Sequence, residues 1–385
     1  MDGRIGFGLG FLFAALAACT GTDGPSPPCA DGWGAITAPD SATHVRTDGD
    51  DASADGSADL PYATVAAAID AGATHLALGP GDFPATLALG ATDSLVLQGC
   101  SADETRLVGD TASAPILSLN GTAGVIVSGV TLAEADRPLF ATGGATVTAD
   151  HVAIRDGNWS GFVVDGPYTV VELEDVTVAD TRSVGGAGGF GGEVDGATLR
   201  WTGGELVGNR AAGLVAAGSS AVVELTDVRV ADTAPADDGR FGRGIQLQDF
   251  ASASLTDLVV ADNHDAGVFS LLAADLVVDG LTVSGTTASA AGGDALVVTA
   301  VDADGRQLDP AGFRATLTGN TVDGADRAGI VLERVTATVD GNTVANAPQA
   351  IVAQQDAVVS GADPVDVLTE PLPLERAAIA GIGAP

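Results

Sequence analysis

The tetrapeptide GNTV occurs twice, ending at Val322 and at Val344, 22 residues apart. Followed backwards, its last residue marks an aliphatic column: Leu132, Ile154, Val178, Val207, Val230, Val260, Val283, Val322 and Val344. The successive spacings are 22, 24, 29, 23, 30, 23, 39 and 22, so a unit of 22 to 24 residues recurs with insertions. A second column lies five residues earlier, at Val127, Leu173, Leu225, Leu255, Val278, Leu317 and Val339, and is interrupted by Ala149 and Thr202. A third follows a small residue, at Phe162, Leu214, Ile245, Val268, Ile330 and Ile351. Each unit therefore offers three short apolar segments. Strands this short cannot bury their apolar side alone, but stacking unit upon unit at about 4.8 Å turns each column into a continuous buried file. The expected fold is all-β, a solenoid with three strands per coil.

The corners fit that reading. Asp156, Asp180, Asn209, Asp232, Asp262 and Asn346 recur just past the first column. Asp and Asn bond neighbouring backbone and tolerate the left-handed conformation that a sharp bend needs. A propeller would repeat at about 40 to 50 residues with aromatic signatures, which are missing. Amphipathic helices would space their apolar residues by 3.6, whereas the columns sit on β-branched runs such as VTVAD. Aromatic residues are only 4% of the chain and Gly numbers 53 of 385, as suits many tight turns.

Charge removes several functions. The formal net charge is -35, and all 16 basic residues are Arg. Nucleic acid and anionic lipid surfaces are unsuitable partners for so acidic a chain, and lysine chemistry is excluded.

The N-terminus, MDGRIGFGLGFLFAALAAC, carries Arg4, an apolar run and small residues before Cys19. The run is short for a membrane span and reads as an export signal. Leu16-Ala17-Ala18-Cys19 resembles the lipobox of bacterial lipoproteins, which implies cleavage before Cys19 and lipid on its sulfur. Thr20 in place of Asp implies the outer membrane. In an oxidising compartment, Cys29 and Cys100 are candidates for a disulfide, with two buried thiols as the alternative.

The recurring N-x-x-x-(x)-G-[IVL] phrase, with the opening VRTDGDDASADGSADLPYATVAAAIDAG, resembles the right-handed parallel β-helix family of pectate-lyase-like proteins. The resemblance implies a short capping helix before the first coil. Pro61 is placed to start it, Asp59 to sit near its positive end, and Val65 and Ile69 to share a face. The chain then divides into a signal peptide (1–18), a lipidated tether (19–40), an N-terminal segment with the capping helix (41–73), the coils (74–360) and a tail that closes or trails the far end (361–385).

Relatives of this fold cut or modify acidic polysaccharides. On the third strand, alternation sends Val163, Asp165, Val215, Gln246, Gln248, Phe269, Leu271, Val297, Thr299, Val331, Glu333, Val352 and Gln354 outward. Two of these residues are acidic and lie some six coils apart, too far to work on one substrate atom. The face is instead an apolar stripe, which inserted loops or a partner must cover. One corner gathers Trp159, Arg182, Phe190, Arg210, Arg240, Phe241, Arg243 and Arg327, a composition that suits sugar rings bearing carboxylates. The alternative is that these residues anchor loops over the stripe. His44, His75, His151 and His264 read as strand or loop residues, His264 standing out for its neighbours Asn263 and Asp265. Asp51, Asp55 and Asp59 follow a calcium loop in part, but Tyr62 stands where its bidentate Glu belongs. Thr131, Thr177, Thr282, Thr321 and Thr343 line another strand and are accounted for by β-propensity. Taken together, the residues favour a monomeric, lipid-anchored, non-catalytic rod about 50 Å long that binds polysaccharide or an envelope protein without a cofactor. The alternative is a lyase acting on uronate-containing glycans with an Arg base such as Arg240 or Arg243.

Overall fold

The computed structural model describes residues 41–379 apart from 92, 122–123 and 289–291. The chain winds as a parallel β-helix. Three files of parallel strands run its length: the first from His75–Leu78 to Val358–Gly361, the second from Gly81–Ala85 to Thr343–Ala345, and the third, of 12 strands, from Leu87–Leu89 to Asp366–Val367. Eleven steps of about 4.8 Å make the third file roughly 50 Å long. Cys19 and Cys29 lie outside the described residues. Cys100 is disulfide-bonded.

The apolar columns of the sequence become the buried files. Val178, Val230, Val260 and Val283 are all 0% exposed and stand in register down the second file. One coil departs from the expectation by a single residue. Leu206, not Val207, pairs with Val178 and Val230, and Trp201, not Thr202, fills the gap between Leu173 and Leu225. The corner decides the register. A left-handed residue follows the inward aliphatic by two positions, at Asp156, Asp180, Gly208, Asp232 and Asp262 (φ between 54° and 65°). Gly208 fills that position in its coil, so Leu206 must point inward.

Asn209 is therefore no corner residue. It is buried, accepts from Thr181 N and Oγ1 (3.3 and 2.9 Å), and donates to Val178 O (3.1 Å). Asn263 repeats the pattern with Thr233 N and Val230 O, both at 3.0 Å. The GNTV asparagines form a ladder of their own. Asn320 Nδ2 donates to Asn342 Oδ1 (2.7 Å), and Asn342 Nδ2 donates to Asp363 Oδ2 (2.7 Å). Where the coil turns without a strand, each side-chain amide replaces the missing ladder partners of a buried backbone.

The third file contains a coil that its column does not announce. Gly192 stands between Phe162 and Leu214, and the Phe162 ring occupies the space its side chain would fill. That ring meets buried Trp201 edge-on at 5.9 Å, so Gly192 is part of the aromatic packing.

The upper end is closed by strand Thr43–Val45, parallel to His75–Leu78, and by helix α1, Val65–Asp70. The helix is shorter than Pro61 suggests. Thr64 is its N-cap, and Asp51 rather than Asp59 serves the entry, accepting from Ala63 N (2.7 Å), Thr64 N (3.0 Å) and Thr64 Oγ1 (2.8 Å). The tail first adds the last rung at the far end, where Asp366–Val367 pairs with Gln349–Gln354 and Val365 and Leu368 pack against the core. Residues 372–379 fold back along the outside of the third file, burying Leu374 and Ile379. Together with Phe190, Ala236 and Phe241 they account for the covering of the apolar stripe.

Candidate functional site

Alternation along the second file places one column outward: Arg106, Thr131, Ala153 and Thr177 pair in register on four successive coils. Arg155 points outward two residues after Ala153, on the same strand. The corner leading into this file is a left-handed column of Gly and Asp, with Gly129, Asp175, Gly203, Asp227 and Asp257 on their coils, and His151 is the one imidazole in it (φ 52°). The segment Cys100–Asp103 forms a wall, fixed by Thr131 Oγ1 donating to Ala102 O. Together these residues enclose an open groove of about 600 Å³. Gly129 and Ala153 lie on its floor, which leaves backbone accessible there.

The groove carries both signs of charge, with Arg106 and Arg155 lining it beside Asp103 and Asp175. Arg106 is bridged between Asp82 (3.2 Å) and Glu134 (3.1 Å), which fixes its guanidinium at one end. Arg155 is exposed and, among the described residues, is the one arginine whose side chain has neither a hydrogen bond nor an ion pair. His151 is 68% exposed, with Nδ1 2.5 Å from Asp150 Oδ1 and Nε2 3.7 Å from Asp175 Oδ2. The arrangement can receive an anion on Arg155, with the His151 imidazole nearby.

The candidates read from the sequence fall elsewhere. Phe190 and Phe241 are buried in a small apolar cluster with Val215 and Ile379. Arg243 is wholly buried, pairs with Asp265 (2.6 Å) and lies over the Phe269 ring (3.8 Å). Burial pulls its guanidinium below the ordinary arginine value, and Asp265 opposes that. Arg327 pairs with Asp294 and donates to Pro373 O. These four hold loops and tail; Phe190, Phe241 and Arg243 are buried and Arg327 is half-buried. Trp159 is half-buried under Arg137 (5.4 Å). Arg182, Arg210 and Arg240 are exposed, Arg182 and Arg240 on Asp156 and Asp238, and Arg210 on Pro235 O. The structure does not bring the eight together as one surface.

Asp51, Asp55 and Asp59 do not converge either. Asp51 serves the helix entry and Asp55 accepts from Ser57 N (2.9 Å), and among the described residues no group of three metal-ligating side chains forms. The third file is more acidic than its alternation suggested, because the unannounced coil adds Glu193 and Asp195 beside Asp165. Burial, reinforced by Asp165 and Asp249, raises the Asp195 carboxyl above the usual range. Sequence reasoning did not name Arg155 and read His151 as an ordinary strand or loop residue; the one signal available was a His in a column otherwise held by Gly and Asp.

No protein-family model matches the chain, and no curated protein does. Solved structures do match. The A-module of the Azotobacter vinelandii mannuronan C-5 epimerase AlgE4 aligns over 79% of this chain and 89% of its own, at 14% identity and a TM-score of 0.52. Pectate lyase Pel9A aligns over 88% of this chain and 82% of its own, also at 14% identity, with a TM-score of 0.43. The class of fold is thereby defined: the chain is a right-handed parallel β-helix.

Proposed function

We propose that the chain binds an acidic, uronate-containing polysaccharide in the groove across the second file. The observation that carries this reading is Arg155, an unpartnered cation on the rim of the groove in a chain whose 51 carboxylates outnumber its 16 arginines threefold. An arginine in that company is left unpaired where its partner arrives from outside. Thr177 supplies a neutral hydrogen-bonding group on the same floor. AlgE4 is described as acting on mannuronan, which agrees in ligand chemistry.

The reading includes attachment of the rod to the outer membrane through lipid on Cys19, as the lipobox-like sequence supports, with the groove near the upper end. The test is calorimetric titration of soluble chain with uronic acid oligomers and a neutral glucan of equal length. Charge-assisted hydrogen bonds contribute about 1.5 to 3 kcal/mol, so Arg155→Ala is expected to weaken binding at least about tenfold. Equal binding of the neutral glucan, or by Arg155→Ala, sinks the proposal.

A second reading, catalysis on the same polymer, has one observation in its favour: the His151 imidazole stands exposed between Asp150 and Asp175 at the groove. Turnover of a uronate polymer, followed by absorbance of unsaturated product and lost in His151→Ala, would select it over passive binding.

A further inference from the structure

Residues 372–379 lie along the outer face of the third file, held by polar as well as apolar contacts. A cover needed only to keep water off an apolar stripe would be apolar. The stripe instead carries a graded set of polar side chains, each matched to one part of the segment. Gln354 Oε1 accepts from Leu372 N (2.8 Å) while its Nε2 donates to Leu372 O (3.2 Å). Four coils away, Gln248 does the same for Ile379, accepting from its N–H (2.9 Å) and donating to its carbonyl (3.0 Å). Each amide thus reads the donor and the acceptor of one residue, as the edge of a sheet reads a strand.

Between them the side chains are read. Glu333 is fully buried and takes Arg376 as a fork: Nε to Oε2 at 2.7 Å and Nη2 to Oε1. Thr299 Oγ1 (2.6 Å) and Gln354 Nε2 (2.8 Å) also donate to this carboxylate, so the socket is satisfied only with a guanidinium in it. Arg243 donates to the carbonyls of Glu375 (2.6 Å) and Ala377 (3.3 Å), and Leu374 and Ile379 enter apolar ground on either side. None of these bonds depends on the segment belonging to the same chain. The connection that leads to it, Thr369–Pro371, is exposed.

We infer that this groove binds the sequence LERAAI in trans as well as in cis, and that the trans partner is the C-terminal segment of a second copy, exchanged between two rods. The exchange remakes every contact without a new interface, and Pro371 and Pro373 stiffen the hinge so that a segment once released stays extended. The inference is independent of the glycan reading, since the second and third files present different faces.

The test uses the full chain with a specific protease site inserted between Thr369 and Glu370. After cleavage, an isotopically light and a heavy preparation are mixed, and native mass spectrometry counts hybrid complexes while near-ultraviolet circular dichroism follows the body. Segments are expected to scramble between bodies that keep their fold, and uncleaved chain at high concentration to give a dimer. In competition, a synthetic PLPLERAAI peptide with Arg376→Ala or Arg376→Lys is expected to displace the segment at least tenfold less well than the natural one. Absence of scrambling, loss of the body's fold on release, an uncleaved chain that stays monomeric, or displacement as strong by the Arg376→Lys peptide each overturn the inference.

Discussion

Gly192 is where the packing argument can be broken most cleanly. A Cβ at this position would lie 2.2 Å from Phe162 Cζ and 2.5 and 2.8 Å from its Cε1 and Cε2. Carbon atoms in contact prefer about 3.5 to 4.0 Å, so the ring would have to retreat by more than an ångström. It cannot retreat freely, because Phe162 is fully buried with its edge on Trp201. Gly192 does not need a left-handed backbone, so the cost of Gly192→Ala is steric alone. Overpacking of this kind costs about 1 to 3 kcal/mol, and a clash with three ring atoms places it in the upper half. Phe162→Leu shortens the intruding side chain and makes this coil like its neighbour Leu139. The double variant should therefore be more stable than the two single losses predict, with a coupling of about 1 to 2 kcal/mol. Equilibrium urea unfolding followed by tryptophan fluorescence and circular dichroism measures all four proteins. If Gly192→Ala lies within about 0.5 kcal/mol of the parent, or the losses simply add, Phe162 does not fill the space of Gly192.

Two carboxylates should move stability with pH in opposite senses. Asp195 is raised, so its charged form opposes folding: Asp195→Asn is expected to stabilise at neutral pH, and the advantage should vanish as pH falls below the ordinary carboxylate value of 3.8. For Asp51 burial alone would raise the carboxyl, but the hydrogen bonds from Thr64 and Ala63 outweigh it and lower it. Its contribution is present above 3.8 and lost as pH falls below, so Asp51→Ala should lower the melting temperature at neutral pH and change it little in acid, read from melting curves across that range. Gly203→Ala introduces a side chain at φ 70° with Asp175 Oδ1 2.3 Å from its Cβ, and thermal melts should show a loss of more than 1 kcal/mol, by about the cost of strain at a special φ/ψ.

How much of this was legible depended on whether a feature repeats. The files, the parallel stacking and the left-handed corners follow from columns that recur every 22 to 24 residues. The one-residue error at Val207 arose because Leu206 and Val207 are both aliphatic; Gly208 resolves it only when the corner is treated as the ruler. Gly192 escaped because its place is filled by a ring from the coil above. The groove was not legible, since it is made where columns are interrupted, by Arg106 on one coil and by His151 and Ala153 on another two coils away. The tail escaped as well: it crosses the strands at right angles, so no period marks it, and Gln248, Glu333 and Gln354 looked like stray polar residues in an apolar stripe.

In a solenoid each coil touches only the coils above and below it, so such molecules can fray from either end. Residues 372–379 run along the axis and fasten Gln354 and Glu333 to Gln248, coils that share no strand pairing. Melting of the lower end must then release a brace that also holds the middle, which converts a stepwise unzipping into a single cooperative transition over that half of the rod.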